Sequence, residues 1–183
     1  MEALAEYIKT EKIDGIEYDM SPANTKHIII QGNLIRIIGN FLRGKQCKVF
    51  SEIGVHLDED NYFIPDITVV CDRSKITEQG IKGAPDFVAE VLSFSTYRKD
   101  ITVKKDTYEK FGVKEYWIIR PNDEIIEVYL LRQGKYQLDN VYHNATEQDM
   151  KYMSEREKAE INVSLKLSLY DDLEIQVKDI FED

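Results

Sequence analysis

Basic residues are in short supply in this chain. Its 183 residues include 24 lysines and arginines against 34 acids, a formal net charge of −10. A protein that coats nucleic acid through its backbone phosphates needs the opposite balance, so a generic nucleic-acid coat is excluded. Cysteine is scarce too. Cys47 and Cys71 lack the close spacing of a metal site and read as reduced thiols of a cytoplasmic protein. No apolar run approaches the ~18 residues of a membrane span. The start, Met1-Glu2-Ala3-Leu4-Ala5-Glu6, has no basic residue leading into an apolar stretch, so no secretion signal is expected. Gly-rich phosphate loops, Cys/His clusters and Ser/His/Asp arrangements are also missing.

What is present is enough for a core. Apolar residues make up 43% of the chain, with eleven tyrosines, and the length fits one domain, 1–183. Short strands around Asp14-Gly15 come first. A helix from about Asn24 to Leu42 is expected next, capped by Ser21 or Asn24, with Ile30, Leu34, Ile37, Ile38 and Phe41 at helical spacing. Two strands, Val49 to Leu57 and Tyr62 to Cys71, form a hairpin about Glu59. A strand Phe87 to Leu92 and a helix Thr96 to Phe111 follow, with Gly112 at the C-terminal glycine position. Strands over Glu115–Ile119, Glu124–Leu131 and Tyr136–Tyr142, a short helix over Met150–Lys158, a strand over Asn162–Leu169 and a last helical turn at Val177–Phe181 complete the reading. This is a mixed α/β or α+β domain with helices before and after the central strands.

Three charged groups sit where apolar ones belong. Pro65-Asp66 opens the strand Ile67-Thr68-Val69-Val70. Glu90 is the lone charge in Phe87-Val88-Ala89-Glu90-Val91-Leu92. Lys104 shares a helix face with Ile101, Tyr108 and Phe111. Buried charges cost several kcal/mol unless paired or bound to metal. The hairpin also brings Glu52 opposite Asp66, within one residue of register, and two like charges on one face repel unless a cation or proton separates them. Each residue also has a plain reading. Glu52 could be a solvated strand residue and Asp66 part of a turn. Lys104 could snorkel to water or pair with Asp100, four residues before it. If its ammonium instead reaches Glu90 and Asp66, the set suits phosphodiester hydrolysis. Asp66, Glu90 and the Val91 carbonyl could hold Mg²⁺, a hard ion that takes oxygen ligands, with Lys104 orienting or deprotonating a water. Lys105 pairs with Glu109 on the surface. Ser93, Ser95 and Thr96 read as helix caps or as phosphate contacts. His27, one turn before Gln31, could point to the same place.

The segment Tyr97 to Lys110 concentrates Arg98, Lys99, Lys104, Lys105 and Lys110, a local basic stretch on an acidic chain.

In order along the chain come Tyr18-Asp19-Met20-Ser21-Pro22, His27, Ser51-Glu52, Pro65-Asp66-Ile67-Thr68-Val69-Val70, Gly83-Ala84-Pro85-Asp86 and Glu90-Val91-Leu92-Ser93. Asp100, Lys104, Tyr108 and Gly112-Val113-Lys114-Glu115-Tyr116-Trp117 follow. This string resembles the Uma family, a bacterial group of restriction-endonuclease-like proteins within the PD-(D/E)XK nuclease superfamily. The resemblance implies a central mixed sheet flanked by helices and metal-dependent DNA cleavage, with Asp66 and Glu90 as metal ligands and Glu52 as an accessory acid. The superfamily's usual lysine position, two residues after the second acid, holds Leu92; Lys104 from the next helix would substitute. The expectation is a Mg²⁺-dependent DNA endonuclease, with Mn²⁺ as substitute metal, as a possible homodimer through the hairpin Glu124 to Tyr142. The alternative is a catalytically inactive nucleic-acid-binding or regulatory module of the same fold.

Overall fold

The computed structural model describes residues 9–93 and 97–182. It opens with a hairpin of β1 (Thr10–Ile13) and β2 (Ile16–Asp19). Asp14 and Gly15 both take positive φ, 48° and 79°, the turn geometry that matches strand twist. Helix α1 (Thr25–Phe41) is capped by the Asn24 side chain, which accepts the His27 N–H. Ile30, Leu34 and Ile38 stack four residues apart on its buried face. Truncating one of them to alanine would cost about 2–5 kcal/mol.

The expected hairpin forms, but each arm breaks in two: β3 (Lys48–Ser51), β4 (Val55–His56), β5 (Tyr62–Phe63) and β6 (Ile67–Val70). Ser51 pairs with Ile67 and Val55 with Phe63, both centred on Glu59. The register therefore survives the break while the outer halves join a second sheet. Glu52, at φ 49°, lies at the break. Beyond a 3₁₀ turn, β7 (Ile76–Thr77) and β8 (Gly80–Lys82) close the second sheet. Gly80, at φ +127°, passes so near that a Cβ would sit 2.3 Å from the Gly54 carbonyl oxygen. No side chain fits there.

Strand β9 (Phe87–Val91) leads to the helix of residues 97–111, where a π-helical segment, Asp100–Lys104, lies between α-helical Tyr97–Lys99 and Lys105–Phe111. Gly112 ends it in the left-handed region. The expected starts at Ser95 and Thr96 lie outside the described residues. Strands β10 (Glu115–Arg120), β11 (Ile125–Arg132) and β12 (Lys135–His143) follow. Where one helix was expected over Met150–Lys158 there are two, Glu147–Lys151 and Glu155–Glu160, because Thr146 and Ser154 each start a capping box. The chain ends with β13 (Ser164–Lys166), β14 (Glu174–Gln176) and a helix Val177–Phe181.

The main sheet runs β12-β11-β10-β9-β6-β3, with β9 and β10 parallel. The second runs β2-β1-β5-β4-β8-β7. One face of the main sheet (Phe87, Ala89, Trp117, Ile119) packs against α1 and the C-terminal elements. The other (Val88, Tyr116, Ile118) packs against the second sheet and Tyr108. Glu90 lies two residues beyond Val88 on β9 and so belongs to this second face.

Two readings need correction. Cys47 and Cys71 are joined as a disulfide rather than standing as separate thiols. The antiparallel register that pairs Lys48 with Val70 puts residue 47 opposite residue 71, so distance along the sequence does not part them. Lys105 is not Glu109's partner. Its ammonium lies 3.4 Å from the centre of the Tyr129 ring, while Glu109 pairs with Lys135. Lys105 and Glu109 share one α-helical face, but each meets a partner on the neighbouring hairpin, Tyr129 of β11 and Lys135 of β12. The hairpin of β11 and β12 forms one edge of the main sheet.

Candidate active site

A cavity of about 600 Å³ opens where the two sheets diverge, with Glu52, Asp66, Glu90, Val91 and Lys104 all in its lining. The hairpin break presents Glu52 and Asp66 together. The Glu52 N–H donates to the Pro65 and Asp66 carbonyls at 3.2 and 3.4 Å. The Glu52 carboxylate pairs with Lys9 at the cavity rim, and that hydrogen bond holds its pKa below the usual glutamate value despite partial burial.

Asp66 is held through every polar atom it has. Its Oδ1 lies 2.8 Å from His27 Nε2, and Oδ2 accepts the Val91 N–H at 2.7 Å. Its own N–H donates to Glu90 Oε2 at 3.4 Å, and its carbonyl accepts from Gln31 Nε2 at 3.2 Å. Burial disfavours a charged His27. The hydrogen bond and charge of Asp66, with more distant help from Glu52 and Asp100, outweigh this and raise its pKa.

Glu90 is 3% exposed. Its Oε1 accepts from Lys104 Nζ and from the Tyr108 hydroxyl, each at 3.1 Å. Lys104 therefore faces inward, as its helix face requires. Its ammonium also meets Glu11 at 2.8 Å and Asp100 at 3.3 Å, so the local pair with Asp100 and the long reach to Glu90 both exist. The reach to Asp66 does not, since His27 takes that carboxylate. Burial pushes the Glu90 carboxyl well up; Lys104 opposes this, while Asp100, Asp66 and Glu11 reinforce it. For Lys104 burial pulls down, but Glu90, Asp100 and Glu11 prevail and the pKa stands well above the usual lysine value. Leu92, at the superfamily's lysine position, is a core residue whose N–H bonds the Ile119 carbonyl.

Glu11, Gln31 and the hydroxyl of Tyr108 were not read from sequence as parts of this site. The period-2 pattern of β1, which buries Glu11 together with Ile13, was the signal available for the first. Gln31 lies one turn beyond His27 on the same helix face, the signal available for the second.

The charges do not balance. Glu11, Asp66, Glu90 and Asp100 are all buried, with the Lys104 ammonium and the His27 imidazole as their basic partners. Such an excess calls for protons or a further cation. Among the described residues no three His, Cys, Asp or Glu side chains form a ready metal cage. The donor set here is two carboxylates and a main-chain carbonyl. Val91 lies beyond the last β6–β9 pair, Ile67–Ala89, and the residue in line with it is Pro65, which has no N–H to offer its carbonyl. Two carboxylates, a carbonyl and room for water fit Mg²⁺, which keeps several waters.

A mixed sheet flanked by helices, with acids gathered at strand ends over a cavity, defines a restriction-endonuclease-like α/β protein. The chain belongs to the Uma2 family: the family model described as "Putative restriction endonuclease" matches residues 1–164. Two proteins of Synechocystis sp. are similar. "Uncharacterized protein slr1290" is 30% identical over 125 residues, covering 66% of this chain and 65% of its own length. "Uncharacterized protein sll1609" is 29% identical over 128 residues, covering 63% and 72%. The chain thus matches under two thirds of the first relative's length. The crystal structure of "a putative nuclease belonging to DUF820" from Anabaena variabilis ATCC 29413 superposes with a TM-score of 0.71 over 94% of this chain and 89% of that one. At 22% identity that likeness shows the fold.

Proposed function

We propose that this protein is a Mg²⁺-dependent DNA endonuclease. The observation that carries the proposal is the gathering of four buried carboxyls, Glu11, Asp66, Glu90 and Asp100, beside an open cavity. Asp66, Glu90 and the Val91 carbonyl would hold the ion, with Mn²⁺ able to replace Mg²⁺. Its chemistry is to acidify a bound water and polarise a phosphate oxygen. Lys104 keeps its proton, because three carboxylates surround it. It therefore acts as a fixed positive charge and hydrogen-bond donor near the attacking water, not as the base that removes the water's proton. Glu52, at the rim with Lys9, is the accessory acid that can receive a proton or orient water.

Double-strand cleavage would need two copies, and the β11–β12 edge is our candidate contact for a homodimer in the cytoplasm. One observation favours the second reading, an inactive nucleic-acid-binding module: all three carboxylate partners already satisfy Lys104. Supercoiled plasmid titrated with Mg²⁺ or Mn²⁺ separates the two. Nicking or linearisation by the wild type that disappears in Asp66→Ala is expected. No cleavage with either metal, or cleavage that survives the substitution, overturns the nuclease reading.

A further inference from the structure

Helix α1 approaches Asp66 twice. His27 meets the carboxylate at Oδ1, and Gln31, one turn further on, meets the main-chain carbonyl of the same residue. Gln31 also helps to lower the pKa of the Glu52 carboxylate, so its amide lies near both acids that the hairpin break presents. Both α1 residues are only 7% exposed. Neither is needed for the helix itself, whose core contacts come from Ile30, Leu34 and Ile38. A polar pair this buried on an otherwise apolar face costs stability unless its partners repay it, and the partners here are the two acids at the cavity.

We infer that His27 and Gln31 are positioning residues. His27 fixes the plane of the Asp66 carboxylate, and Gln31 fixes the backbone carbonyl of the same residue. The inference rests on the metal-site reading and deepens it: α1 sets how well Asp66 can bind a divalent cation. Partners of metal-binding side chains typically change affinity or activity by about 10–100-fold when removed.

The test measures Mn²⁺ binding by calorimetry without DNA, beside plasmid cleavage and thermal unfolding. The proteins are wild type, Asp66→Ala, His27→Leu, His27→Gln and Gln31→Met. Gln at position 27 can put an amide N–H near the place of His27 Nε2, whereas Leu cannot. Expected are about 10–100-fold weaker Mn²⁺ binding in His27→Leu and Gln31→Met, a fall in kcat with KM for DNA little changed, and recovery of most of the binding in His27→Gln. Binding that depends on Asp66 but is indifferent to His27→Leu and Gln31→Met overturns the positioning role alone. Weakening that His27→Gln fails to restore, tracking loss of thermal stability, also overturns it, since the residues would then be serving the fold. Equal Mn²⁺ binding by wild type and Asp66→Ala overturns the metal site and this inference with it.

Discussion

Two buried glutamates on neighbouring strands, one on each face of the main sheet, make an instructive pair. Glu115 starts β10 on the face that packs against α1 and the C-terminal elements. Trp117 Nε1 donates to it at 2.6 Å, and both the Ser168 N–H and hydroxyl donate to its other oxygen. Burial raises its pKa, and those neutral donors partly oppose the rise. It clips the C-terminal segment to the sheet. Glu90, on β9 and on the opposite face, faces Lys104 and three other acids. The residue type and the burial are alike. The difference lies in the company: dipoles complete one site, while the other is left short of positive charge next to a cavity. The first arrangement is finished by folding; on the proposed reading, the second would be finished by a cation that enters.

Removing the fixed cation should break this contrast most severely. Lys104→Met leaves Glu11, Glu90 and Asp100 without their shared partner, so a loss of about 3–5 kcal/mol is expected, together with loss of plasmid nicking. Lys105→Met removes a ring contact worth about 1 kcal/mol and should leave nicking near wild type. Urea unfolding and the cleavage assay read both, and equal effects from the two lysines would sink the distinction.

Next in size is the covalent clamp on the apolar face. Cys47 and Cys71 close a loop with a sequence separation of 24, so Cys47→Ser should cost about 3 kcal/mol on the chain-entropy account. The loss should match that seen on reducing the wild type. A variant as stable as the oxidised parent would show that the bond contributes nothing.

The smallest effect concerns Glu115. A carboxyl whose folded pKa is raised contributes stability below its unfolded value and loses it as pH rises through the folded one. Wild-type stability should therefore decline as pH rises above the ordinary glutamate range. Glu115→Gln should remove that part of the slope. It should also cost about 1–3 kcal/mol at low pH, because an amide N–H₂ meets donors where an oxygen was. An unchanged slope in unfolding curves taken across that range would refute the assignment.

Much of this was legible in the residues. Pro65-Asp66, the lone Glu90 and the inward face of Lys104 stood out because a charge in an apolar pattern is conspicuous, and the hairpin centre at Glu59 was readable from where the turn residues cluster. What escaped notice has a physical reason in each case. β4, β5 and β7 are two residues long, too short to show a period, so the second sheet was invisible. Glu11 lies in a four-residue strand, where one alternation is weak evidence. The disulfide depends on register, which sequence distance hides. The partners of Lys105 and Glu109 come from the β11–β12 hairpin, and helix spacing alone cannot show a tertiary neighbour.

Glu11 and Lys104 touch across nearly a hundred residues of chain. During synthesis at roughly 5–20 residues per second, the amino-terminal strand leaves the ribosome many seconds before the lysine that it will hold. The carboxylates at 90 and 100 also emerge first and wait without their cation. A nascent fragment therefore cannot assemble this cluster, however long it persists. That order of arrival keeps the buried cluster unbuilt until more than half of the chain exists to enclose it.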